Sequence, residues 1–242
     1  MVDGDAPARR TRAGDTEVEA VYRLTRNVVI PWMHVWFRWH VEGLENIPRT
    51  GPALVASNHI AYLDPLAVAY VIDRAGRRPR FLSKSELFQD RRIAWVLRGC
   101  GQIEVKRGTP SAPAALDDAL AALDRGEVVA IFPEGTVTTD PELRPMPVKS
   151  GIARLALRTG APVVPCGVWG TANVWPKGHA HDWRPGQDIA VRVGEPLWLT
   201  GDPDDVEDWQ AAGRAIMDAI AALVASIKPA IPDRRRPRRA TA

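Results

Sequence analysis

This sequence predicts an α/β domain, a single unit with a largely parallel central sheet flanked by helices, preceded by an amphipathic Trp-rich helical segment. Three observations predict it. From Gly51 onward, short apolar runs alternate with helical stretches, the order that builds parallel sheets. Helical stretches stop at glycines such as Gly126 and Gly160, as helices commonly do. The chain has 242 residues, 45% apolar and 25% charged, enough for one full hydrophobic core with flanking segments.

Taken in order, residues 1–15 are rich in Ala, Gly, Asp and Arg and are expected to be disordered. Residues 16–41 are expected to form a helical segment at a membrane interface. Trp32, Trp36 and Trp39 recur at spacings of four and three, which stacks them on one helical face. Val28, Val29, Met33, Val35 and Phe37 broaden that surface, and Arg23, Arg26 and Arg38 add positive charge. Such a composition suits a lipid boundary; packing of the same tryptophans on the domain is the competing expectation. Pro31 should kink or restart the helix.

The domain proper is expected over 42–228. "PALVAS" reads as a buried strand and "PLAVAYVID" as a helix; "RFLSK" is a second strand and "FQDRRIAWVLRGC" a helix. "QIEVKR" is a third strand, "APAALDDALAALDRG" an Ala- and Leu-rich helix, and "VVAIFP" the most strand-like run of all. "GIARLALRTG" is a helix, "APVVPCGVWG" and "IAVRVGEPL" are strands, and "DVEDWQAAGRAIMDAIAALVASI" closes the domain with a long apolar helical face. A flexible basic tail is expected over 229–242.

The formal charge is +3, but the stretch from Asp233 to Ala242 holds five Arg and one Asp, or +4, leaving −1 for the rest. A basic arm on a near-neutral body suits anionic lipid; no aromatic platform or nucleic-acid motif accompanies it, so nucleic acid is not an expected partner. Cys100 and Cys166 have no metal-ligand spacing and imply no disulfide framework, which suits a reducing cytosol. There is no secretory leader pattern and no run of 18 uncharged apolar residues.

In open parallel sheets, sites gather beyond the carboxyl ends of strands, and four groups of polar residues fall there. His59 and Asp64, in "SNHIAYLDP", leave the end of the first strand. Asp64 followed by Pro65 also reads as an ordinary N-cap and N1 pair. His59 beside a carboxylate has the makings of a general base, one ring nitrogen held and the other free to take a proton. Glu134, Gly135 and Thr136, in "IFPEGTVT", follow the most strand-like run. Lys106 and Arg107 end another strand, and Lys149 precedes a helix; cations at such places suit phosphate. A weaker alternative is a metal site built from His179, His181 and Asp182 and completed by His59 and Asp64; the first three fall in a Pro- and Gly-bounded loop without a zincin-type motif.

In this order and at these separations, "NHIAYLD", "GQIEVKR", "FPEGT" and "VVPCGVW" resemble the four motif blocks of the glycerolipid acyltransferases, the family that includes bacterial 1-acylglycerol-3-phosphate acyltransferase. The resemblance runs from about Val41 to Leu199. It implies transfer of a fatty acyl group from a thioester of coenzyme A or acyl carrier protein to a lipid hydroxyl, in phospholipid biosynthesis on the cytoplasmic side of the membrane. It implies His59 as base with Asp64 as orienting partner, Arg107 on the acceptor phosphate with Lys149 beside it, and Glu134, Gly135 and Thr136 shaping the acceptor pocket. No cofactor or metal is implied; acyl-CoA is a co-substrate. A thioester is already activated, so no covalent nucleophile is needed, and no G-x-S-x-G elbow is present. One departure stands out. Many relatives carry arginine after the threonine of the third block, where this chain has Val137. The expected acceptor is 1-acylglycerol-3-phosphate, and this departure keeps glycerol phosphate and other lysolipids or glycolipids as alternatives. A non-catalytic acyl-CoA- or lipid-binding module is the alternative of a different class.

Overall fold

The computed structural model describes residues 13–105 and 112–235. Among them the elements run α1 (Ala13–Trp36), β1 (Phe37–Glu42), β2 (Ala53–Ser57), α2 (Asp64–Arg74), β3 (Pro79–Lys84), α3 (Arg91–Gly99), β4 (Ile103–Val105), α4 (Ala112–Asp124), β5 (Val128–Ile131), α5 (Ser150–Thr159), β6 (Val163–Trp169), α6 (Thr171–Val174), β7 (Gln187–Val193) and α7 (Val206–Ile227). The strands form one sheet in the order β1-β7-β6-β2-β5-β3-β4. Every neighbouring pair is parallel except β6 with β7. The expected α/β domain with a largely parallel sheet is what forms.

The most continuously apolar runs occupy the centre. Every residue of β2, β5 and β6 is buried, as strands covered on both faces must be. Their side chains alternate between two cores. Leu54, Ala56, Val129 and Ile131 meet Ala119 and Leu123 of α4, Ile152 and Leu155 of α5, and Ile216 and Ile220 of α7. Ala53, Val55, Val128 and Ala130 face Met33 of α1 and Leu63, Ala67, Tyr70 and Val71 around α2. Helix α7 is long and apolar enough to cross a membrane by length and composition. Its Ala212, Gly213, Ile216, Ile220, Val224 and Ile227 are nevertheless buried, at the three- and four-residue spacing of one helix face. It is a cover for the sheet. Gly167 of β6 permits the approach, because a Cβ there would sit 2.8 Å from Leu223 Cβ.

The N-terminal segment differs from its expectation. Helix α1 runs through Pro31 but stops at Trp36, and Phe37–Glu42 is a strand paired with β7 at the sheet edge. The reason is visible in "FRWHVE": Phe37, Trp39 and Val41 alternate with Arg38, His40 and Glu42, a two-residue period. Trp39 therefore leaves the helical face assigned to it. Its ring stacks on Tyr70 at 4.0 Å, and its Nε1–H donates to Met33 O at 2.9 Å. Trp36 Nε1–H donates to Trp183 O at 2.9 Å. These two tryptophans pack on the domain, as the competing expectation had it. Apolar surface on α1 is instead exposed at Leu24, Val28 and Val35, four and seven residues apart and hence on one side.

The two chain ends lie partly outside the described residues. Residues 1–12, most of the segment expected to be disordered, and 236–242, half of the expected flexible tail, are among those not described. The tail's first part is pinned. Ile231 is buried, the Arg234 N–H donates to Asn173 Oδ1 at 2.6 Å, and Arg235 Nη2–H donates to Pro141 O at 2.6 Å. The domain thus continues past residue 228.

Candidate active site

Strands β2, β5 and β6 are neighbours and run the same way, so their carboxyl ends open on one edge of the sheet. That edge holds the site. The chain leaving β2 turns sharply through Asn58 and His59. Asn58 substitutes its side chain for a rung of the ladder to β6: its Nδ2–H donates to Val168 O at 2.9 Å and its Oδ1 accepts from Val168 N–H at 2.8 Å. His59 Nδ1 and Asp64 Oδ2 are 2.9 Å apart. A carboxylate only accepts, so Nδ1 carries a proton in this contact, and the neutral tautomer it selects has the lone pair on Nε2.

Asp64 is fully buried, and its oxygens are all engaged. Oδ2 also accepts from the Ile60 and Ala61 N–H groups at 2.6 and 2.7 Å, and Oδ1 accepts from Thr171 Oγ1–H at 2.6 Å. The N-cap expected of Asp64 is not formed: Leu63 holds that position, and Asp64 is the first helical residue. Its carboxylate points back to the turn carrying His59. Thr171, at the start of α6, was not legible beforehand, since it lies 107 residues from its partner.

The loop after β5 clamps the histidine from the other side. Glu134 is 2% exposed. Its Oε1 accepts from the His59 N–H at 2.8 Å and its Oε2 from the Met146 N–H at 3.0 Å. Burial pushes its carboxyl above the ordinary range, against the pull of the two N–H donors. Thr138 N–H donates to His59 O at 2.7 Å. Phe132 stacks on the imidazole at 4.2 Å. Glu134, expected to shape the acceptor pocket, does not line the cleft: it lies behind the wall, where both oxygens serve backbone amides.

In front of His59 lies a cleft of about 890 Å³. Its walls are largely apolar, with Val29 and Ile30 from α1, Leu66 and Ala69 from α2, and Val96 and Leu97 from α3. Gly135, Thr136 and Lys149 line it beside the histidine, as does Lys177, which sequence reasoning did not single out. Gly135 has φ +72°, a left-handed turn that favours glycine. Lys106 and Arg107 fall outside the described residues. Arg144 turns away to Asp140 and Glu142. The two cysteines are poor nucleophiles here: burial raises both thiols, Cys166 to about 12. Around "HAHDW", Arg184 pairs with Asp182 at 2.6 Å, and no cluster of three or more metal-ligating side chains occurs among the described residues.

The arrangement is a histidine with one nitrogen fixed by a buried carboxylate, set against a long apolar cleft rimmed by cations. Known proteins share its sequence and its fold. The chain is 30% identical over 168 residues to the chloroplastic 1-acyl-sn-glycerol-3-phosphate acyltransferase BAT2 of Brassica napus, covering 69% of this chain and 47% of that one. It is 33% identical over 138 residues to the 1-acyl-sn-glycerol-3-phosphate acyltransferase of Borreliella burgdorferi, covering 57% and 53%. The chain thus spans about half the length of these curated relatives. The crystal structure of the 1-acyl-sn-glycerophosphate acyltransferase PlsC from Thermotoga maritima superposes with a TM-score of 0.64 at 26% identity, over 90% of this chain and 83% of that one. The family model described as Acyltransferase matches residues 38–169, more than half of the sequence and all of the site's histidine, carboxylate and glutamate positions, and the chain belongs to that acyltransferase family.

Proposed function

We propose that this protein transfers a fatty acyl group from acyl-CoA, or from acyl carrier protein, to the free hydroxyl of a lysophospholipid, with 1-acylglycerol-3-phosphate as the preferred acceptor, in phospholipid biosynthesis. The observation that carries this reading is the 2.9 Å contact between His59 Nδ1 and the buried Asp64 carboxylate at the edge of an apolar cleft. Nε2 takes the proton of the acceptor hydroxyl as its oxygen attacks the thioester carbonyl. The C–O bond forms, the tetrahedral intermediate expels the thiolate as the C–S bond breaks, and the proton passes from His59 to the leaving sulfur. Asp64 holds the ring and stabilises the imidazolium formed between these steps. Such proton transfer contributes about a hundred- to ten-thousand-fold; positioning of the two substrates contributes the remainder. No covalent acyl-enzyme is required.

Both substrates carry hydrocarbon chains, and the cleft walls match them. Leu87 and Ile93 line the cleft and are exposed at its mouth, and Leu24, Val28 and Val35 form an apolar stripe on α1. We assign these surfaces to contact with the cytoplasmic leaflet, as a peripheral attachment. The same segment also serves the fold, because Met33 and Phe37 are core residues. The decisive assay is thiol release by the purified protein with one acyl-CoA and a panel of lysophospholipids, glycerol 3-phosphate and monoacylglycerol. Release dependent on lysophosphatidic acid supports the reading; acyl-CoA binding without turnover on any acceptor makes the chain a binding module.

A further inference from the structure

The position after Thr136 is occupied by Val137, which is buried and brings no charge to the cleft. Its carbonyl, however, faces a cation from another part of the chain. Lys177, in the loop after α6, extends its ammonium to within 3.4 Å of Val137 O. That contact is long for a hydrogen bond and engages one of three N–H donors. Across the same loop, the Lys149 side chain lies against Gly135, where a Cβ would sit 3.0–3.1 Å from its Cδ, Cε and Nζ. Both lysines line the cleft that holds His59.

What separates these two from many of the protein's other cations is their company. Arg26 pairs with Asp73, Arg80 with Glu127, Arg144 with Asp140 and Arg154 with Asp204. Among the described residues, no carboxylate pairs with Lys149 or Lys177. Glu134, the nearest acid in sequence to Gly135, spends both oxygens on backbone amides. Two positive charges at the rim of an apolar cleft, beside a general base and without a counter-ion from the described residues, are poised for an anion that arrives with the ligand.

We infer that Lys177, acting with Lys149, binds the phosphate of the acceptor and supplies the charge that Val137 does not. The inference rests on the acyl-transfer reading for the identity of the ligand, and it makes Lys177 a determinant of acceptor choice. Because Lys177 is exposed, its replacement leaves the fold intact.

The test is equilibrium binding, by calorimetry, of 1-hexanoylglycerol 3-phosphate and of uncharged 1-hexanoylglycerol to wild type, Lys177→Gln and Lys177→Arg. Phosphate-bearing ligand should bind about tenfold more weakly to Lys177→Gln, the scale of one lost charge-assisted contact, and normally to Lys177→Arg. The uncharged ligand should not distinguish the three proteins. Equal affinity of wild type and Lys177→Gln for the phosphate ligand overturns the inference. Thiol-release kinetics on the same proteins add a second readout: the acceptor KM should rise with kcat and the acyl-CoA KM unchanged. A rise confined to the acyl-CoA KM places Lys177 on the donor's phosphates and also overturns it. Failure of wild type to release thiol at all sinks the acyl-transfer reading instead, and leaves the binding result to stand alone.

Discussion

The corner around Asp64 and the rim around Lys149 and Lys177 lie on the same cleft and are built on opposite plans. At the corner, protein groups satisfy protein groups: Asp64 takes four donors and Glu134 takes two. At the rim, two ammonium groups meet no carboxylate among the described residues. On the proposed reading, the difference separates two tasks. A general base must hold one geometry through the reaction, so its surroundings are closed and preorganised. A binding cation must be available to a ligand, so its counter-charge is left for the ligand to bring.

Substitutions at the corner should therefore cost activity, stability or both, and those at the rim should cost neither stability nor fold. The largest effect is expected from Asp64→Asn. An amide in place of the carboxylate puts an NH2 group or a single carbonyl where four donors converge, and turnover should fall roughly a hundred- to ten-thousand-fold. Turnover within a few-fold of wild type would reduce Asp64 to a part of the turn. Next is Glu134→Gln, which leaves one of the two backbone N–H groups facing another donor. Stability should drop by about 1–3 kcal/mol, read as a lower melting temperature, with slower turnover as His59 loses its clamp. A variant as stable as wild type would break the claim that Glu134 works behind the wall.

Thr171→Val is a smaller perturbation of the same corner. It removes the donor to Asp64 Oδ1 without changing volume much, and turnover should fall about tenfold, the kinetic scale of one unsatisfied buried acceptor. Thr171→Ser should restore it. Equal loss in both variants would point to packing rather than the hydroxyl. Smallest is the stability effect at the rim: Lys149→Gln with Lys177→Gln should melt within about 0.5 kcal/mol of wild type, as surface changes that break no ion pair do. A marked loss of stability would reveal a structural role and dissolve the contrast.

How much of this was legible in the sequence follows the distance between partners. His59 and Asp64 sit five residues apart, within one turn at a strand end, and their pairing is readable from spacing. The sheet's central strands announce themselves as apolar runs. Glu134 was visible as a residue but not as a clamp, because it reaches His59 across 75 residues. Thr171 and Lys177 carried no local pattern at all; only the sheet, by putting β2, β5 and β6 side by side, brings them to the cleft. At the N-terminus two periodicities overlap. Tryptophans at helical spacing mask the two-residue alternation of Phe37–Glu42, and strand pairing with β7 won because it buries Phe37 and satisfies the edge of the sheet.

The proposed mechanism turns on His59 taking a proton from an alcohol beside a thioester. Thiol release from acyl-CoA in the presence of lysophosphatidic acid, compared between wild type and His59→Ala at matched melting temperature, tests it most directly. A loss of about a hundredfold or more is predicted, of the order that general-base catalysis supplies. Near-normal release by the folded variant would contradict the assignment of the base and, with it, the mechanism.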